Sequence, residues 1–109
     1  MLGLAAHQAK SAAQPLLLQA IKHDKSFVRS VALSILAGIE LDRATALDVF
    51  SSALEDQEAA VRITALLALG QMGRAAKPAF LKVQAALRDP NKDVQKIAQQ
   101  TLRKITQDE

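Results

Sequence analysis

The apolar positions of this chain recur with helical spacing, and the block they form then recurs whole. Val28, Val61 and Val94 stand 33 residues apart, and the same step relates Ala32, Ala65 and Ala98, and Leu36, Leu69 and Leu102. A further row, Ile21, Leu54 and Leu87, lies on the segment before each of these. Apolar residues at i, i+4 and i+8 mark a helix that buries one face. A block repeating at this period marks a stacked array in which neighbours cover one another. The predicted fold class is therefore all-α, an α-solenoid of antiparallel helix pairs with about three repeats in a right-handed superhelix.

The whole chain, 1–109, reads as one such domain. Residues 1–8 look like the tail of a preceding helix, because Leu2-Gly3 matches Leu69-Gly70. The first repeat, 11–38, opens with Ser11 as cap, Pro15 in the first turn and a Leu17, Leu18, Ile21 stripe. His23-Asp24-Lys25 is its turn. Asp24 is then the expected N-cap of a helix over 26–37, with Val28, Ala32, Ile35, Leu36 and Ile39 inward and Gly38 at its end. The second repeat, 42–73, has Asp42 capping a helix to Leu54 with Ala46, Leu47 and Phe50 on the same face. Its second helix, 57–72, turns Val61, Ala65, Ala68, Leu69 and Met72 inward. The third, 76–107, begins near Pro78, with Leu81, Val83, Ala86 and Leu87 inward. Asp89-Pro90 reads as an N-cap followed by Pro at the first helical position. Its last helix, 91–105, turns in Val94, Ile97, Ala98, Thr101, Leu102 and Ile105.

The ends of the array differ. Ile63, Leu66 and Leu67 correspond to Lys96, Gln99 and Gln100, so one face turns polar in the last repeat, as a terminal unit requires for solubility. MLGLAA shows no such conversion, which predicts that the N-terminal end is covered by further repeats or another chain.

Composition supports helix over strand. Hydrophobic residues make up 50% of the chain, without Trp or Tyr and with three Phe, and the dominant Ala and Leu head the helix scale. Fourteen basic against eleven acidic side chains leave +3, scattered along the chain and too small an excess for a nucleic-acid footprint. The absence of cysteine rules out disulfides and thiolate metal sites. The start has no basic n-region and too short an apolar run for a signal peptide, and no stretch reaches the roughly 20 apolar residues of a membrane span.

Pro15 to Ile21 with Asp24 and Val28-Arg29, then Ala53-Leu54-Glu55-Asp56 with Val61-Arg62, Ala65 and Ala68-Leu69-Gly70, resemble the HEAT repeat, and within it the short phycobilisome-lyase-like variety. The resemblance covers nearly the whole chain. It implies a ladder of hydrogen bonds between repeats, with Asp56 and Arg62 in one rung and Asp24 and Arg29 in a variant rung, since His23 occupies the site expected for the Asp. The third repeat keeps Asp89 but carries Gln95 in place of Arg, so its rung is in question.

No residue pattern here carries catalysis. His7 and His23 lack the converging partners of a metal site. Glu55, Asp56 and Glu58 sit at a turn and a helix N-terminus, where carboxylates are favoured by the dipole alone. No Gly-rich phosphate loop is present. The expectation is no catalytic residue, no cofactor and no metal, and hence no enzyme.

The basic face of Lys92, Lys96, Arg103 and Lys104 reads as a solvated helix face ahead of a nucleic-acid site, because no Tyr or Trp could stack a base. What remains is a row on the second helices, Phe27, Ser30, Ser34, Ile63, Leu67, Lys96 and Gln100. In HEAT arrays these helices line the concave side. For Leu33, Ile63 and Leu67 two readings are open, a partner groove or packing between repeats. The function expected is a protein-binding scaffold. The alternative is a fragment of a lyase-type protein holding a bilin or its carrier protein.

Overall fold

In the computed structural model, which describes residues 13–107, the helices fall where the apolar rows place them. Helix α1 occupies 13–20 of the described residues. It is followed by α2 (Ser26–Ala37), α3 (Arg43–Ala53), α4 (Ala59–Met72), α5 (Phe80–Ala85) and α6 (Lys92–Thr106). Two 3-10 segments, Gly73–Ala79 and Ala86–Arg88, flank α5. No strand occurs among the described residues. Residues 1–12, with Leu2-Gly3, His7 and the Ser11 cap, lie outside that range.

Each hairpin is closed by local chemistry. Asp42 caps α3, its Oδ2 accepting from the Thr45 N–H at 3.1 Å and from the Thr45 hydroxyl at 2.9 Å. Gly38 ends α2 with its N–H on the Ile35 carbonyl at 3.0 Å. Gly73 ends α4 at φ 59°, a left-handed value that a side chain would strain. Two expected caps move. The N-cap of α2 is Lys25, not Asp24, and it makes no side-chain cap bond. The N-cap of α6 is Asn91, whose Oδ1 accepts from Asp93 N–H at 2.8 Å and Val94 N–H at 3.2 Å. Asp89 and Pro90 therefore belong to the turn before the cap, and Asp89 is left free for another bond.

The second helices α2, α4 and α6 lie side by side, α4 in the middle and packed on both. The first helices form the other layer, and the molecule measures 46 × 38 × 18 Å, the short axis being two helices deep. The aligned alanines Ala32, Ala65 and Ala98 are all buried, Ala65 and Ala98 completely. A methyl group there lets helices approach closely. Around them Leu33, Leu36, Val61, Leu66, Leu69, Val83, Val94 and Ile105 are each at most 1% exposed.

Some inward assignments are corrected. Ile35 is 47% exposed and Leu33 is buried in its place. Leu33 shares its row with Leu66, and both lie under the next second helix; Ile35 lies on the opposite flank, which no described helix covers. Leu81 is 75% exposed. The first helix of the third repeat is not the continuous helix expected from Pro78, because Pro78 falls inside a 3-10 segment and α5 keeps only six residues. Its apolar phase is broken there: Val83 is buried as expected, and Ala76 and Ala79 join it in the core in place of Leu81.

Candidate functional site

Among the described residues, the turns between first and second helices carry the charged side-chain bonds that join one repeat to the next. Arg29, on the first turn of α2, donates from Nη1 to the carbonyls of His23 at 2.8 Å and Asp24 at 2.9 Å, holding its own turn. The same guanidinium reaches the next repeat, with Nε on Asp56 Oδ2 at 2.8 Å and Nη2 on Asp56 Oδ1 at 2.9 Å. Arg62 repeats the arrangement one step on. Its Nη1 donates to the carbonyls of Asp56 and Gln57 at 2.8 and 2.9 Å. Its Nε and Nη2 grip Asp89 at 2.8 and 3.0 Å. Planar two-point pairing of this kind fixes angle as well as distance.

Asp56 and Arg62 therefore belong to adjacent rungs and do not pair through their side chains. The Asp24 carboxylate takes no part; only its backbone carbonyl does. His23 stands in the row of Asp56 and Asp89, and its Nδ1 accepts from Lys25 N–H at 3.0 Å, as Asp56 Oδ1 accepts from Glu58 N–H at 2.9 Å and Asp89 Oδ1 from Asn91 N–H at 2.8 Å. At the last repeat Gln95 keeps half the rung, donating from Nε2 to the Asp89 carbonyl at 2.6 Å. An amide reaches its own turn but has no second arm for a further repeat.

Burial pushes the carboxyls of Asp56 and Asp89 up. Their bonds from Arg29 and Arg62, the backbone N–H groups of Glu58 and Asn91, and the charge of the arginines outweigh this and leave both below the ordinary 3.8. The Arg29 guanidinium is shifted up, chiefly by its bond to Asp56. A carboxylate with a depressed folded pKa adds stability that is complete above its unfolded value and is lost as the pH falls through the folded one. Asp56→Asn together with Asp89→Asn should lower stability at neutral pH and flatten its loss below about pH 4. Urea unfolding as a function of pH checks this; an acid limb as steep as that of the native protein would contradict it.

On the outward side of the second helices the structure separates the residues of the predicted row. Leu33 is core, 1% exposed, so packing between repeats is its role. Ile63 is half-buried against the core. Leu67 is 46% exposed and Phe27 75%. Ser30 and Thr64 bridge α2 and α4 through their hydroxyls at 2.9 Å. Ser34, Lys96 and Gln100 are exposed. Sequence reasoning missed Val31, 42% exposed beside Phe27; it lies in the row of Thr64 and Ile97, a step of 33 that could have identified it.

Elsewhere a cleft of about 350 Å³ opens between the α2–α3 loop and α4, lined by Leu36, Ile39, Leu41, Phe50 and Met72 with Glu40 and Arg43 at its edge. Two unlike charges without a partnered base offer no acid–base pair. Among the described residues no group of His, Asp or Glu is arranged to hold a metal ion, and no helix is long and apolar enough to cross a membrane.

A family model for HEAT repeats matches residues 13–103. No curated protein matches the chain.

Proposed function

The chain belongs to the HEAT-repeat family, and from that premise we propose that it is a non-catalytic scaffold that holds a protein or peptide segment along the outward face of α2, α4 and α6. HEAT repeats generally mediate protein interactions. The observation that carries the reading is the exposure of Phe27, Val31 and Leu67 on the neighbouring helices α2 and α4. Large apolar side chains grouped on one rigid face mark an interaction surface more often than scattered ones do. Rungs on the turns hold the three helices in register, so the face is built before any partner arrives, which lowers the ordering cost of binding.

Ile63 is tied to the core and is unsuited to a binding test, whereas Phe27 and Leu67 project. Phe27→Asp with Leu67→Asp should leave the circular dichroism spectrum and melting temperature near those of the native protein. The same variant should lose the capture of clones from a displayed library of random peptides. Equal capture by native and double-variant protein would reject the proposal. A shift in bilin absorbance on mixing, without peptide capture, would favour the lyase-type reading instead.

A further inference from the structure

The outward face changes character along the array, and this sets the chemistry of what it can hold. Over α2 and α4 it presents Phe27, Val31 and Leu67. Over α6 the rows of Phe27, Val31 and Leu67 hold Asp93, Ile97 and Gln100, and Lys96, in the row of Ser30 and Ile63, is exposed on the same helix with Lys92, Arg103 and Lys104. That is four cations and one carboxylate on the last helix. Among the described residues none of the four is paired with a carboxylate.

A polar end cap explains only part of this. Gln, Glu and Lys would all keep a terminal helix soluble, and cations in the last turn, here Arg103 and Lys104, are favoured by the helix dipole. Lys92 occupies the first turn, where the dipole opposes it, and Lys96 lies beyond the reach of either end. The Lys104 stem packs against α4, its Cδ 3.3 Å from where a Cβ on Gly70 would sit. Gly70, having no side chain, leaves room there for the lysine stem.

We propose that the segment held by this face is apolar at one end and acidic at the other, its aliphatic or aromatic side chains over α2 and α4 and its Asp or Glu side chains over α6. The inference rests on the scaffold reading above. Second helices packed roughly 9 Å apart place α2 and α6 roughly 18 Å from each other. An extended chain rising about 3.3 Å per residue crosses that span in about six residues. An acidic residue about three positions from one apolar anchor and about six from another fits the array. A phosphate backbone fits poorly, because the cations are confined to one helix and half of the face would set apolar groups against charged phosphates.

The test selects 12-residue random peptides on the native protein, on Lys96→Glu with Lys104→Glu, and on a charge-matched control, Lys22→Glu with Arg88→Glu. Clones from the native protein and the control should carry Asp or Glu at the stated distance from an apolar pair; the α6 variant should lose that bias or reverse it. Lys96→Gln with Lys104→Gln serves if the charge reversal impairs folding. Replacing the acidic residues of a selected peptide with Gln should weaken binding about five- to tenfold at low salt, the equivalent of two or three exposed ion pairs. The difference should shrink in high salt.

Clones with apolar anchors and no acidic bias, still lost on Leu67→Asp, would overturn this inference and leave the scaffold reading standing. Absence of any enriched clone on the native protein would overturn both. A single-stranded oligonucleotide that displaces selected peptides, with affinity falling steeply in salt, would overturn the inference in favour of nucleic acid.

Discussion

Arg62→Ala should lower the unfolding free energy by about 2–4 kcal/mol, and Arg43→Ala by less than about 0.5 kcal/mol. The asymmetry follows from what each guanidinium touches. Arg62 makes four hydrogen bonds, two to the carboxylate of the next repeat and two to carbonyls of its own turn. Its removal leaves the Asp89 side chain, 9% exposed, without its countercharge. Stranding a partly buried carboxylate costs more than the bonds themselves would suggest, because that group loses solvent on folding and keeps only the Asn91 N–H in return. The rung still reaches water at one edge, which keeps the figure below that of a deeply buried pair. Arg43 is exposed at the start of α3. Urea unfolding of the two variants checks the difference; a loss below about 1 kcal/mol for Arg62→Ala would mean that the rung is ornamental.

Ala65→Phe should cost about 3 kcal/mol or more and lower the melting temperature by roughly 10 °C or more. Ala65 is wholly buried at the centre of α4, the helix flanked on both sides. A phenyl group has no cavity to enter and must push helices apart, and in a stacked array that displacement breaks the register of two interfaces at once. The control is Ala60→Phe, because Ala60 is exposed on the same helix. Ala59, which the sequence pattern places on an exposed turn, opens α4 and packs against the core, so it cannot serve. Equal melting temperatures for the Ala65 and Ala60 variants would show that α4 is rotated from the phase described.

The repeat period made the stack legible, because alanines and leucines that recur at one step must face equivalent neighbours. The caps at Asp42 and Gly38 were legible too, since each acts within one turn of chain. What escaped is what depends on the neighbouring repeat. Arg62 could be matched to an Asp at the turn, but whether to Asp56 in its own repeat or Asp89 in the next is decided by stacking, which no local spacing records. Likewise Leu33 and Ile35 are equally apolar in the chain. One lies on the flank of α2 that α4 covers and the other on the flank no described helix covers. The α5 region was misread because Pro78 was expected to open a regular helix, whereas the chain leaves Gly73 in a left-handed turn and stays in 3-10 geometry through Ala79.

Part of the outward face was legible as rows, since Ser30, Ile63 and Lys96, and Ser34, Leu67 and Gln100, each recur at the step of 33. Its continuity depends on one claim: that each rung crosses from one repeat to the next and holds the second helices in register. A double-mutant cycle on Arg62→Ala and Asp89→Ala, read by urea unfolding at neutral pH, tests that claim most directly. Coupling of about 1–3 kcal/mol between the two positions is the predicted result. Independent, additive losses would contradict it, and would mean that apolar packing alone sets the register of the array.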